Sequence, residues 1–292
     1  MVLAQLLVNS LIIGAVYALV AAGFSLIYAT NRFMHFAHGV SVMVGGYAVH
    51  GLYSLLHLPL WLSIIGGVAM TCLLGIGMYK FVYGPLQHRK ASNIILLIAS
   101  IGMLILFQNL VQLLFGASIR TIMSTYNVTF LSFFGVTITP LQMIIFGVAV
   151  VLFLFLSWLM KFTKLGRQMR AIADNRMLAG VMGIDHRFIA LISFIVGSAL
   201  AGVAGILIGL EQNLEPSMGT LLMVKGFTGA VIGGVDSVAG AVLGSFVLGV
   251  VENVAVWFLP SGYKDGVSFL LLFLFLLFRP MGLLGVNRGV KK

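Results

Sequence analysis

The chain has 292 residues, 61% of them hydrophobic and only 8% charged, with a mean hydropathy of +1.13. Soluble domains carry about 25% charged residues, so this composition excludes a water-soluble globular protein and requires an integral membrane protein. The formal net charge of +10 would by itself suit nucleic acid, but the cations sit in short connections between apolar runs, as in cytoplasmic membrane loops, and nucleic acid is not an expected partner.

The first element is an apolar run over 4–28. No Lys or Arg precedes Arg32, and the run is too long for a signal-peptide core, so it reads as a membrane helix. Further runs follow at 37–56, 60–82, 94–115, 140–160, 188–210, 220–235, 238–259 and 266–279. About 20 apolar residues cross a bilayer as a helix, whereas barrel strands would alternate polar and apolar positions. The expected fold class is therefore all-α polytopic, with about eight to ten transmembrane helices. One transmembrane domain is expected over 1–292, with halves of 1–160 and 188–292 joined by a charged connection at 161–187.

Three connections are basic: Lys80–Lys90, Lys161–Arg187 and the tail Arg288–Lys292. Placing all three in the cytoplasm puts the N-terminus outside, together with Glu211 and Glu215. The run at 220–235 is short and glycine-rich, so a re-entrant or broken helix is open there. "FMHFAHGVSVMVGGYAV" (Phe33–Val49) and "EPSMGTLLMVKGFTGAVIGG" (Glu215–Gly234) each set a glycine before a small-residue helix, and they start on opposite faces in this topology. They suggest an inverted repeat, a recurring transporter design. Gly229, Gly233 and Gly234, then Gly240, Gly244 and Gly249, put small faces on adjacent helices, which packing alone explains.

Missing motifs bound the chemistry. There is no G-x-x-x-x-G-K-[ST], and the dipeptide Gly-Lys does not occur, so no P-loop ATPase is encoded. There is no H-E-x-x-H, and the six histidines do not converge at metal-ligand spacing. Cys72 stands alone, which excludes an internal disulfide. Glu252 lies within the run 238–259 and could carry protons, but a relay needs a chain of such groups; a Glu bonded to polar neighbours in the bundle is the plainer reading.

The connection Lys161–Arg187 holds six basic residues and two acids, Asp174 and Asp185. Gly166–Ala173 and Asn175–Met182 read as two short helices, with Asp174 capping the second and Gly183 ending it. Met169, Ile172 and Ala173 share one face of the first; Leu178, Val181 and Met182 share one face of the second. A headgroup-anchored loop would explain the charges and leave these apolar faces unassigned.

"LGRQMRAIADNRMLAGVMGID" resembles the cytoplasmic coupling loop of the inner-membrane permeases of ATP-binding-cassette importers for branched-chain amino acids, the LivH type. "YALVAAGFSLIYATNRFMHFAHG" and "KGFTGAVIGGVDSVAGAVLGSFVLGVVE" are similar to two further signatures, and "RPMGLLG" to its terminal motif. Ala29, His35 and Asp236 stand where that family commonly has Gly, Asn and Gly. The resemblance implies a bacterial inner-membrane permease working beside a second related permease subunit, two cytosolic ATPases and a periplasmic or lipid-anchored solute-binding protein. It implies that no cofactor is bound by this chain, ATP and Mg belonging to the ATPases. It further implies coupling to the ATPase through the loop, carried by Gly166, Arg167, Arg170, Ala171, Asp174, Ala179, Gly183 and Ile184, with both apolar faces entering an ATPase cleft.

A zwitterionic apolar solute needs a few polar groups along its path and no strong single-sign trap. Asn9, Tyr17, Asn31, His38 and Ser41 in the first half, with Lys225, Ser245 and Glu252 in the second, are the candidates. The alternatives are the same machinery carrying urea or a short amide, a proton-coupled secondary transporter using Glu252, and a passive channel.

Overall fold

The computed structural model describes residues 2–122, 131–133 and 136–285; the tail Arg288–Lys292 lies outside them. All nine apolar runs form helices. Among the described residues, seven helical stretches are long and apolar enough to cross a membrane. They contain α1 (Val2–Asn31), α3 (Leu60–Gly77) with its continuation through α4 (Gly84–His88), α5 (Asn93–Phe115), α6 (Pro140–Phe162), α9 (His186–Glu211), α11 (Val238–Phe258) and α12 (Lys264–Phe278). The other two runs are short: α2 (His38–His50), extended by a π-helical turn over Gly51–Leu55, and α10 (Met218–Gly233). A two-stranded antiparallel hairpin, β1 (Leu131–Phe133) with β2 (Val136–Ile138), precedes α6.

Local sequence explains the boundaries. Ser92 caps α5 by accepting the Ile95 N–H, and Thr139 with Gln142 forms a reciprocal capping box ahead of Pro140 in α6. Ser237 caps α11 through the Gly240 N–H at 3.1 Å. Helices α1 and α9 pack on each other at the centre, while α3, α5, α6 and α12 leave most of their apolar surface facing outward. An outer shell of Leu, Ile and Phe is stable only against lipid or another apolar chain.

The bundle has two distinct ends. At one, the Lys80–Lys90 and Lys161–Arg187 connections line a common cleft, and Arg32 bonds both Asp236 and the Ala173 carbonyl. This is the basic end. At the other, Arg120 and Leu214 exchange backbone hydrogen bonds at 3.0 and 2.7 Å. There Gln5 near the start of α1 grips Thr137 of β2, donating to its carbonyl at 2.9 Å and accepting from its N–H at 2.8 Å.

The two short helices begin inside the bundle. The His38 ring at the start of α2 meets the Val20 carbonyl of α1, about three turns, or roughly 16 Å, short of the basic end of that helix. From there α2 runs to the far end, where His50 meets the Thr121 carbonyl at 3.1 Å. Helix α10 runs the other way and ends at the basic end, where Leu283 and Leu284 donate to the Ile232 and Gly233 carbonyls. The two first turns touch. A Cβ on Gly39 would lie 2.5 Å from the Gly219 carbonyl oxygen and 3.0 Å from Met223 Cβ; one on Gly219 would meet the Gly39 carbonyl and lie 3.0 Å from Met43 Cβ. This reciprocity extends outward: α1 packs on α10 and α11, and α9 packs on α2 and α3. "HGVSVMVGGY" and "MGTLLMVKGF" share two glycines, a Met and a Val in register; of these Gly39, Gly219, Met43 and Met223 meet at the contact, whereas Gly46 faces Leu214 and Gly205, and Gly226 faces Val20.

The glycine-rich faces of α10 and α11 serve close packing, as their spacing implies. A Cβ on Gly229 would fall 2.9 Å from Ser245 Cα, and one on Gly249 would fall 2.8 Å from the Ser10 carbonyl of α1. Gly234 serves the backbone instead. Its φ of +109° turns the chain between the helices, a conformation L side chains rarely adopt.

Candidate functional site

Between the central helices and α12 lies a network of charged side chains. Lys225 stands on the middle of α10 with its side chain 7% exposed, and Glu252 on α11 with 1%. Lys225 Nζ lies 3.1 Å from Glu252 Oε1 and 2.9 Å from Asp265 Oδ1 in the first turn of α12. Tyr17 of α1 donates to Glu252 Oε2 at 2.9 Å, Ser268 of α12 donates to Oε1, and the Lys225 ammonium sits 5.3 Å from the Tyr17 ring centroid. Lys264 reaches Asn253 at 3.3 Å. The network thus joins α1, α10, α11 and α12 across the bundle, and each buried charge has an opposite charge or a donor on it, as burial demands.

A cleft of about 610 Å³ opens beside it, with Tyr17, Lys225 and Lys264 on one wall and Gln212, Asn213 and Glu215 from the α9–α10 connection on another. Ile13, Ile208 and Leu222 supply apolar surface. The combination can hold a solute bearing both charges and a hydrocarbon side chain.

Of the eight path residues expected from sequence, only Tyr17, Lys225 and Glu252 come together. Asn9 accepts from Gln5 at the far end of α1. Asn31 bonds the Ile27 carbonyl and Thr30 at the basic end. His38 and Ser41 are fully buried at the start of α2, and Ser245 bonds the Ala241 carbonyl within the α10–α11 seam. Asp265, Ser268 and Lys264 belong to the network and were not among the expected residues. Their signal was present: an acid in the first turn of the last helix with a serine one turn on, on the same face.

The second feature is the connection after α6. It folds as α7 (Lys164–Asp174) and α8 (Arg176–Val181). Thr163 caps α7 through Gly166 N–H at 3.0 Å. The cap of α8 is Asn175, which accepts from Met177 and Leu178, and not Asp174; the turn between the helices places the Asn oxygen over the free N–H groups and leaves Asp174 as the last residue of α7. Gly183 ends the hairpin at φ +79°, and Ile184 N–H returns to the Ala179 carbonyl at 3.1 Å.

The two apolar faces have different fates. Met169 and Ile172 of α7 are buried on the bundle, so that face is covered by the chain itself. Ala179 is also buried, so it is a packing position of the hairpin and not a surface contact point. Gly166 lies against the Met160 backbone of α6, Arg170 turns back to the Met160 carbonyl, Ala171 is half-buried, and Arg167 is exposed. Met177, Leu178, Val181 and Met182 remain open, at 61–81% exposure, on the outer side of α8.

Asp236, in the α10–α11 turn, pairs with Arg32 at 2.5 Å, with side chains 28% and 35% exposed. Solvent weakens such a pair, so Asp236→Gly should lower stability by no more than about 1 kcal/mol. A melting shift of only a few degrees in detergent is the expected reading.

The family model described as the permease component of the branched-chain amino acid transport system matches residues 6–276. The chain is 35% identical to the high-affinity branched-chain amino acid transport system permease protein BraD of Pseudomonas aeruginosa, over 96% of this chain and 95% of that protein. It is 33% identical to LivH of Escherichia coli K12, with the same coverage of both chains. Among solved structures, PsaBC from Streptococcus pneumoniae in complex with Fab matches with a TM-score of 0.52 at 15% identity, covering 94% of this chain and 91% of that one; this likeness concerns the fold alone. A family match spanning nearly every membrane helix, with full-length relatives of this similarity, means that the chain belongs to the family of branched-chain amino acid transport system permease components.

Proposed function

We propose that the chain is the membrane-spanning subunit of an ATP-binding-cassette importer for leucine, isoleucine, valine or similar apolar amino acids, in the bacterial inner membrane. The observation that carries the coupling step is the open apolar side of α8: four large apolar side chains on a capped hairpin whose other helix is seated on the bundle. A connection with no partner would bury or lose such a surface. Two cytosolic ATPases, binding ATP and Mg, supply the cleft that receives it, and the basic end faces the cytoplasm. A second related permease subunit completes the path, and a solute-binding protein delivers the amino acid at the far end.

In this reading the chain's own residues hold and gate. The cleft beside Lys225 offers cationic and anionic groups for the two ends of the zwitterion and apolar walls for the side chain. Glu252 accepts from Tyr17, Ser268 and Lys225 at once. A carboxylate so engaged is a structural ion, which disfavours its use as a shuttling proton carrier.

Leu178→Asp with Met182→Asp should leave membrane insertion intact, prevent co-purification of the ATPases and remove at least about nine-tenths of leucine uptake, as loss of central apolar anchors does at an interface. The measurement is uptake of labelled leucine by the reconstituted complex. Normal uptake by the double variant would sink the coupling role, and movement of labelled urea without leucine would overturn the substrate.

A further inference from the structure

At the basic end a cleft of about 810 Å³ lies between the foot of α3, the short α4 and the junction of α8 with α9. Lys80, Lys90, Arg176 and Arg187 line it, with His88 and His186 beside them. The carboxylate in its wall is Asp185, and that group is engaged: it accepts from the Arg187 and Phe188 N–H groups at 2.8 and 3.4 Å as the cap of α9. Among the described residues none of the four cations forms an ion pair.

The cleft also contains nitrogens without partners. Gln87 Nε2 and both ring nitrogens of His186 are shielded from solvent and make no hydrogen bond among the described residues. A basic loop that merely obeys the charge bias of membrane proteins would hold its cations apart in water. Here four solvent-exposed cations line one concavity whose shielded nitrogens are unsatisfied, and an anion rich in acceptor oxygens would answer the cations, the Gln87 amide and the His186 nitrogen that carries the proton.

The position of the cleft indicates where that anion comes from. Phe81, next to Lys80, is 82% exposed on the apolar outer surface of the bundle. The cleft therefore opens at the level where hydrocarbon gives way to headgroups. We propose that it binds the phosphate of an anionic phospholipid in the leaflet at the basic end. Lys80, Arg176 and Arg187 face the phosphate oxygens, and His186 and Gln87 donate to them or to the polar headgroup. Arg176 is the first residue of α8 and Lys80 extends α3, so the bound lipid would tie the hairpin to the bundle.

The test is native mass spectrometry of the full chain in neutral detergent, with phosphatidylglycerol, phosphatidylcholine or inorganic phosphate added. Wild type should retain one phosphatidylglycerol and no phosphatidylcholine. Lys80→Gln with Arg187→Gln should weaken retention by about 30-fold, the loss expected for two interfacial cations. Lys161→Gln with Lys164→Gln, the same charge change outside the cleft, should leave it unaltered. Equal loss in both double variants, or equal retention of phosphatidylcholine, would overturn the proposal. Inorganic phosphate that displaces the lipid and is itself lost in the first double variant keeps the phosphate site and makes a soluble anion its source. Should that double variant not fold, the rise in melting temperature on adding phosphatidylglycerol, present in wild type and absent in Lys80→Gln, reads the same site.

Discussion

Lys225→Met is expected to destabilise the protein by about 3–5 kcal/mol, because it leaves a buried carboxylate without its counter-ion. The partners decide the size. Asp265 is 48% exposed at its side chain and can turn to water when the ammonium is lost, so its contribution is small. Glu252, at 1%, has no such escape. It keeps the Tyr17 and Ser268 hydrogen bonds and loses the positive charge that balances it. Glu252→Gln should cost less, since the amide oxygen still accepts from one hydroxyl, the amide NH2 can donate to the Ser268 oxygen, which has the Lys264 carbonyl for its own proton, and Lys225 retains Asp265 at 2.9 Å. Adding Glu252→Gln to Lys225→Met removes the orphaned charge, so the double variant should be more stable than Lys225→Met alone. Thermal melting of the purified chain checks this order, and a double variant melting below the single one would refute it. If the network also lines the substrate path, the double variant will regain stability without regaining leucine uptake.

The second large effect is at the contact of the two short helices. Gly39→Ala places a methyl group 2.5 Å from the Gly219 carbonyl oxygen and 3.0 Å from Met223 Cβ. Backbone cannot move aside there as a flexible side chain would, and α2 and α10 must separate. Overpacking of this kind costs about 1–3 kcal/mol for one methyl and more for a larger group, so Gly39→Val should fail to accumulate in the membrane. Gly219→Ala should behave like Gly39→Ala, because its Cβ meets the same seam from the other side. Gly102 of α5 and Gly147 of α6 would have nothing within 4 Å of an added Cβ, so Ala at either is the matched control. Those changes should be neutral or slightly stabilising, since Ala is the better helix former. Equal melting temperatures for Gly39→Ala and Gly102→Ala would show that the seam does not depend on close approach.

The hairpin after α6 separates what its sequence conveys from what packing adds. Thr163, Gly183 and the apolar spacing of both helices can be read from the chain, because caps and periodicity are local properties. Which apolar face is covered is not local. Met169 and Ile172 and the α8 set Leu178, Val181 and Met182 are equally apolar, yet the first are buried against the bundle and the second are open. Ala179 likewise reads as a small surface contact and is a buried one.

By itself the sequence determined the membrane class, the nine apolar elements, the gathering of cations in the connections and the family. Those follow from run length, composition and short motifs, each contained within a few tens of residues. The tertiary structure alone decided that α2 and α10 start at depth and run to opposite ends, and that only three of the eight expected polar residues share a site. The physical reason is that a buried charge is defined by its partner: Glu252 finds Lys225 at a separation of 27 residues and Tyr17 at 235, and although glycine spacing marks which helix faces can approach, it does not say which helices meet or at what register.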